Sequence, residues 1–298
     1  KEALCLNSTG TENTGVGKDV LKRNTTGAGN TAVGVEALNK NTTASNNVAV
    51  GKLAMFTNTT GGANTALGYQ ALRLNVSGAS NTAVGLCALR GNTTGASNTA
   101  VGTNAMYEGT TTGDFNTMVG VSSGRKMTSG TQNTASGVNA MELNTTGAGN
   151  VAMGMSALAV NTTGIQNTAV GSNTLVANTT ASGNVALGAY SLQTNTTGFS
   201  NVAVGTCQPS GYGAALELNT TGDCNVAVGN GALRSNTTAN NNTAVGTLAS
   251  GCNTTGADNT SVGKKALQVN TTGCRNVAVG SCALIANTTG VQNEAIGY

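Results

Sequence analysis

Asn81-Thr82-Ala83-Val84-Gly85-Leu86-Cys87-Ala88-Leu89-Arg90-Gly91-Asn92-Thr93-Thr94-Gly95-Ala96-Ser97 is followed at once by Asn98-Thr99-Ala100-Val101-Gly102, and this phrase returns along the whole chain. It starts at Asn13, Asn30, Asn47, Asn64, Asn81, Asn98, Asn116, Asn133, Asn150, Asn167, Asn184, Asn201, Asn225, Asn242, Asn259, Asn276 and Asn293. All steps are 17 residues except Asn98 to Asn116, one longer, and Asn201 to Asn225, seven longer. The unit reads N-[TV]-A-V-G-x-x-A-L-x-x-N-T-T-G-x-x, numbered here as positions 1 to 17. A fixed period of this length is the signature of a stacked repeat, in which one unit buries its apolar residues only against its neighbours.

Composition narrows the class. The 298 residues are 3% aromatic and 8% charged, with 43 Gly, a single Pro at Pro209, and no His or Trp. A globular core of this size would need more large apolar side chains. A disordered chain would carry more charge and Pro, and collagen would place Gly at every third residue. A quasi-one-dimensional solenoid fits. The net charge is +3, and along the sequence the Lys and Arg look scattered, with no basic stripe interleaved with aromatics, so nucleic-acid binding is not expected. No apolar run approaches the roughly 20 residues needed to span a bilayer.

Within the unit, positions 2 and 4 share one face of a short strand and position 3, usually Ala, takes the other. Gly at position 5 suits a bend. The x-A-L-x segment reads as a second short strand, and Asn-Thr-Thr-Gly as a turn. Two short strands and two turns make one coil of an all-β solenoid or parallel β-roll. Residues 1–298 are expected to form one repeat domain of about seventeen coils, a rod of roughly 80 Å at about 4.8 Å per coil. The position-1 Asn is expected to form a ladder of amides from coil to coil. The insertion at 206–212 is expected as a loop. Because Ala3, Leu4 and Asn7 already occupy repeat positions and Gly297-Tyr298 stop inside one, the chain is expected to be a section of a longer fibre.

The phrase Asn-Thr-Ala-Val-Gly-x-x-Ala-Leu resembles the head repeat of trimeric autotransporter adhesins, and arrays with Asn-Thr-Thr-Gly turns are similar to stretches of phage and giant-virus tail fibres. The resemblance covers essentially the whole chain. It implies a left-handed parallel β-roll, three chains side by side, adhesion or a spacer role, and no catalysis. The unit here is longer than the usual adhesin head repeat, and the seven Cys are unusual for that family.

The turn Asn opens an N-glycosylation sequon at Asn7, Asn24, Asn41, Asn58, Asn75, Asn92, Asn144, Asn161, Asn178, Asn195, Asn219, Asn236, Asn253, Asn270 and Asn287. Two readings stand side by side: a column of N-linked glycans along one edge of the coil, or a repeated good turn. Of the seven Cys, Cys207 and Cys224 flank the insertion and are the candidate disulfide. No Cys/His cluster suggests a metal. Without His, and with isolated acids such as Glu36 and Asp114, neither an enzyme nor a cofactor is expected. The function expected is an extracellular structural fibre or filament, adhesive or spacing, on a cell-surface appendage or virion. Self-association as a homotrimer or end-to-end filament is expected with it. The alternative is an ice-binding β-solenoid, supported by Thr at position 2 and weakened where Val replaces it.

Overall fold

A computed structural model describes residues 2–109, 111–207 and 213–297. The chain divides into two units, Lys1–Gly149 and Asn150–Tyr298. Among the described residues the regular elements are seventeen strands of three residues each. The first unit holds β1 (Thr14–Val16), β2 (Thr31–Val33), β3 (Val48–Val50), β4 (Thr65–Leu67), β5 (Thr82–Val84), β6 (Thr99–Val101), β7 (Thr117–Val119) and β8 (Thr134–Ser136). The second holds β9 (Val151–Met153), β10 (Thr168–Val170), β11 (Val185–Leu187), β12 (Val202–Val204), β13 (Val226–Val228), β14 (Thr243–Val245), β15 (Thr260–Val262), β16 (Val277–Val279) and β17 (Glu294–Ile296).

In each unit every strand pairs in parallel with the next, one repeat later, with like positions opposite each other: Thr82 faces Thr99, Ala83 faces Ala100 and Val84 faces Val101. The seven-residue insertion leaves this register intact, since Val202 still faces Val226. Each unit is therefore a β-solenoid with one coil per 17-residue repeat.

Among the described residues only one strand forms per coil. The expected second strand at x-A-L-x is instead a run of tight turns. In the β5 coil, Ala88 N–H donates to Gly85 O, Arg90 N–H to Cys87 O and Asn92 N–H to Leu89 O. Cys87 and Leu89 take φ of 57° and 50°, the left-handed region required at the third residue of such turns. An Ala-Leu pair reads as strand by hydrophobicity. Nothing in those side chains announces a positive φ, which costs a non-Gly residue about 1–2 kcal/mol. Packing offsets the cost: the left-handed turn aims the position-9 side chain inward, and Leu21, Leu38, Met55, Leu72 and Leu89 are all fully buried.

Position 3 Ala and position 8 Ala complete the apolar core, while positions 2 and 4 face outward. One coil that breaks this pattern conserves volume. In the β7 coil, Met118 replaces the position-3 Ala and Gly124 replaces the position-9 Leu. A methyl added at Gly124 would meet Met118 Sδ at 2.8 Å, so the Met side chain fills the space the Leu vacates. Gly at position 5 is required twice over. Gly102 has φ of 134°, and a Cβ there would lie 2.5 Å from Gly120 O in the next coil. Backbone groups between these fixed points pair along the stack: Thr25 N–H bonds Thr42 O, while Gly34 N–H bonds Val16 O.

Candidate functional site: the asparagine ladders and outer columns

A coil this thin buries little apolar surface, about 2 kcal/mol for its Leu. Its interior is completed by amides. The position-1 Asn forms the expected ladder: Asn47 donates both its backbone N–H and its Nδ2 to Asn30 Oδ1, at 3.0 and 3.1 Å. The position-12 Asn, the sequon Asn, forms a second ladder. Asn41 Nδ2 donates to Asn24 Oδ1 at 2.7 Å and to Ala44 O at 3.0 Å. The two ladders meet, because Asn30 Nδ2 also donates to Ala44 O, at 2.9 Å. The second unit repeats this arrangement: Asn236 Nδ2 reaches Asn219 Oδ1 and Ala239 O, and Asn225 Nδ2 reaches Asn201 Oδ1 and the same Ala239 O.

Of the two readings of the sequon, this placement fits the repeated turn. Asn24, Asn41, Asn58, Asn75, Asn92, Asn144, Asn161, Asn178, Asn195, Asn219, Asn236, Asn253 and Asn270 are buried. Asn7 and Asn287 are half-buried. An N-glycan must replace one hydrogen of Nδ2. Along Asn24 to Asn92, and again at Asn178 to Asn287, both hydrogens are engaged, one by the preceding Asn and one by the carbonyl three residues on. The folded coil has no room for a sugar there. What the sequon presents to solvent is its last residue: Thr26, Thr43 and Thr60 are exposed, while the middle Thr bonds the next coil, as Thr25 Oγ1 does to Thr42 O at 3.0 Å.

The second ladder is interrupted where the sequon is lost. Gly109 and Met127 stand in the places of Asn, Met127 is fully buried, and Asn92 Oδ1 is a buried acceptor with no partner. A pocket of about 280 Å³ opens at this break, lined by Glu108, Gly109, Lys126, Thr128 and Thr145. Arg125 ties its rim together, pairing with Glu108 and reaching Glu142 through Nε at 3.0 Å and Nη2 at 2.8 Å. The Glu142 bond raises the Arg125 pKa above its ordinary value.

Cys224 is an exposed free thiol, so the expected Cys207–Cys224 bridge is absent. The register explains why. Cys207 follows β12, whereas Cys224 precedes β13, so the two lie at opposite ends of paired strands. At about 3.3 Å per residue this exceeds the Cα separation of about 7 Å that a disulfide tolerates. Of the insertion, Gln208 to Tyr212 lie outside the described residues.

The outer strand face is uncharged through β1–β8. Position 2 is Thr in β4 to β8 without interruption (Thr65, Thr82, Thr99, Thr117, Thr134), beside Leu67, Val84, Val101, Val119 and Ser136. In the second unit the same face is mostly aliphatic: Val151, Val185, Val202, Val226 and Val277 at position 2, with Met153, Leu187 and Val204 at position 4. Among the described residues, no helix is long and apolar enough to cross a membrane. Compared with family models and with curated protein sequences, the chain matches none.

Proposed function

We propose that this chain forms an extracellular structural fibre or filament component, non-catalytic, with an adhesive or spacing role on a cell-surface appendage or virion. The β-solenoid fold is compatible with a structural or fibre role. The observation that supports the reading best is the pair of amide ladders. They tie each coil to the next through side chains as well as backbone, which favours a rigid extended element over a substrate-binding one. Likeness of the repeat to autotransporter adhesin heads and viral tail fibres points the same way. Self-association as a homotrimer or as filaments joined end to end belongs to this proposal. Its support is the exposed aliphatic face of β9–β17, where Met153 and Leu187 are 48% and 37% exposed, an apolar surface of the kind that marks association. Negative-stain electron microscopy of the purified chain tests the reading. Slender rods or filaments are expected, and compact round particles would refute it.

A second reading is ice binding. It is favoured by one observation, the uninterrupted Thr column of β4 to β8 held in register by backbone pairing. A thermal-hysteresis measurement decides it: freezing-point depression lost on Thr99→Lys supports the reading, and no hysteresis at high concentration ends it.

A further inference from the structure

Cations that look scattered along the sequence converge once each is placed in its coil. Ten of the fourteen Lys and Arg, but seven of the eleven acids, lie in residues 1–149, so that unit carries the whole formal charge of +3 and the other is balanced. Seven of those ten cations occupy only positions 10 and 11, in five of seven consecutive coils: Lys22 and Arg23, Lys40, Arg73, Arg90, then Arg125 and Lys126. Backbone bonds run through this column and hold it in line: Arg23 N–H to Asn39 O, Lys40 N–H to Phe56 O, Thr57 N–H to Arg73 O, Leu74 N–H to Arg90 O, and Glu108 N–H to Arg125 O. The equivalent positions of the second unit hold one cation, Arg234, and Glu217 pairs with it at 3.1 Å.

Two aromatics stand in the same column. Lys40 Nζ lies 5.0 Å from the centre of the Phe56 ring and the Arg73 guanidinium 6.0 Å from it, one from the coil before and one from the coil after. Arg90 lies 5.4 Å from the Tyr107 ring. Ring contacts of this kind hold long cationic side chains in place. Carboxylates neutralise only the two ends: Glu2 and Asp19 pair with Lys22, and Glu108 and Glu142 with Arg125. Among the described residues no carboxylate pairs with Arg23, Lys40, Arg73, Arg90 or Lys126. Arg73 Nε is a buried donor with no partner.

A row of unneutralised cations, one in each of five of these seven coils at multiples of about 4.8 Å, with an aromatic in each of the other two, matches a row of anions. The aromatics decide which kind. Single-stranded nucleic acid gains its affinity by stacking bases on open rings, and the cations of adjacent coils flank Phe56 on both sides. Sulfate or carboxylate groups on a sugar chain need only the guanidinium forks and ammonium groups. We propose that the position 10–11 ridge of the first unit binds a linear anionic polysaccharide through its sulfate or uronate groups. This deepens the adhesive reading by naming its ligand class. The binding measured below would stand even if micrographs refuted the fibre.

The test titrates the full chain with fluorescently labelled dextran sulfate, alginate and a mixed-sequence single-stranded DNA of similar length. Polysaccharide binding is expected to weaken about a hundredfold between 50 and 200 mM salt, as for four to five neutralised anionic groups. Arg73→Glu with Arg90→Glu should cost more than about tenfold, whereas Lys264→Glu with Lys265→Glu in the second unit should change affinity less than about twofold. Should the first pair fail to fold, the exposed Arg23→Gln with Lys126→Gln should still lower the salt slope by about 2. Tighter dextran sulfate assigns sulfate, and tighter alginate assigns uronate. Equal losses in both units, preference for DNA, or no polysaccharide binding at low salt would overturn the proposal.

Discussion

Asn41 Nδ2 lies 2.7 Å from Asn24 Oδ1, one coil apart and fully enclosed. Each such amide is donor to the coil before and acceptor for the coil after, so removing one member strands groups on both sides.

For Asn58, which bonds Asn41 Oδ1, Gly61 O and the Asn75 amide, Asn58→Ala leaves buried groups unpaired. We expect a loss of about 2–4 kcal/mol, read from the urea midpoint of the full chain. Asn58→Asp keeps the shape but places a carboxylate against two acceptor oxygens. Burial raises the pKa of the introduced acid, so its penalty should be greatest near neutral pH and fade as pH falls into the ordinary carboxylate range, where the unfolded chain is protonated too. A pH-independent deficit would contradict this.

Met118 and Gly124 fill one space between them. Met118→Ala alone should cost about 3 kcal/mol by leaving a cavity, and Gly124→Leu alone about 1–3 kcal/mol by overpacking. Together they recreate the Ala and Leu arrangement of coils such as that of Ala83 and Leu89. Thermal melts of the double variant should lie near wild type, a coupling larger than 2 kcal/mol. Additive losses would mean the two sites do not share the space.

Ala63 holds φ of 56° at position 17, where other coils use Gly29, Asn46 or Gly183. Ala63→Gly should therefore stabilise by about 0.5–1 kcal/mol, the left-handed strain relieved exceeding the added chain entropy. Gly102→Ala should do the reverse, by more than about 2 kcal/mol, since both its φ and the carbonyl at 2.5 Å oppose a methyl group. Chemical denaturation distinguishes the two signs.

Cys87 is buried, and burial pushes its thiol pKa up, against the pull of Arg90 and Arg73. The exposed Cys224, Cys252 and Cys282 should react with a maleimide at pH 8 at least about ten times faster than Cys87. Raising the pH above the ordinary thiol range should go on speeding Cys87, whose pKa burial has raised. Mass mapping of labelled peptides over time provides the check.

Much of the coil was legible from the repeat. Its length, the strand at positions 2 to 4, the bend at Gly and the first Asn ladder all follow from periodicity and elementary strand geometry. The second strand was misread because Ala-Leu looks extended, and only the backbone reveals Leu89 at φ of 50°. The sequon misled because Asn-Thr-Thr-Gly satisfies both turn and glycan rules. The signal available was its uniformity: a turn alone tolerates Asp or Ser, yet the chain repeats Asn, as a ladder of neutral amides requires. The basic ridge was hidden because its members alternate between positions 10 and 11 and lie about 17 residues apart, so no window of sequence contains two coils of it. At the β6–β7 coils the missing sequons were visible, but not the pocket that replaces them.

The side-chain amides of both ladders all run one way, each nitrogen toward the earlier coil and each oxygen toward the later one. Such a column is electrically directional, as aligned peptide dipoles are along a helix. Its positive sense lies toward the low-numbered coils within each unit. A solenoid unit of this kind therefore distinguishes up from down without any charged residue.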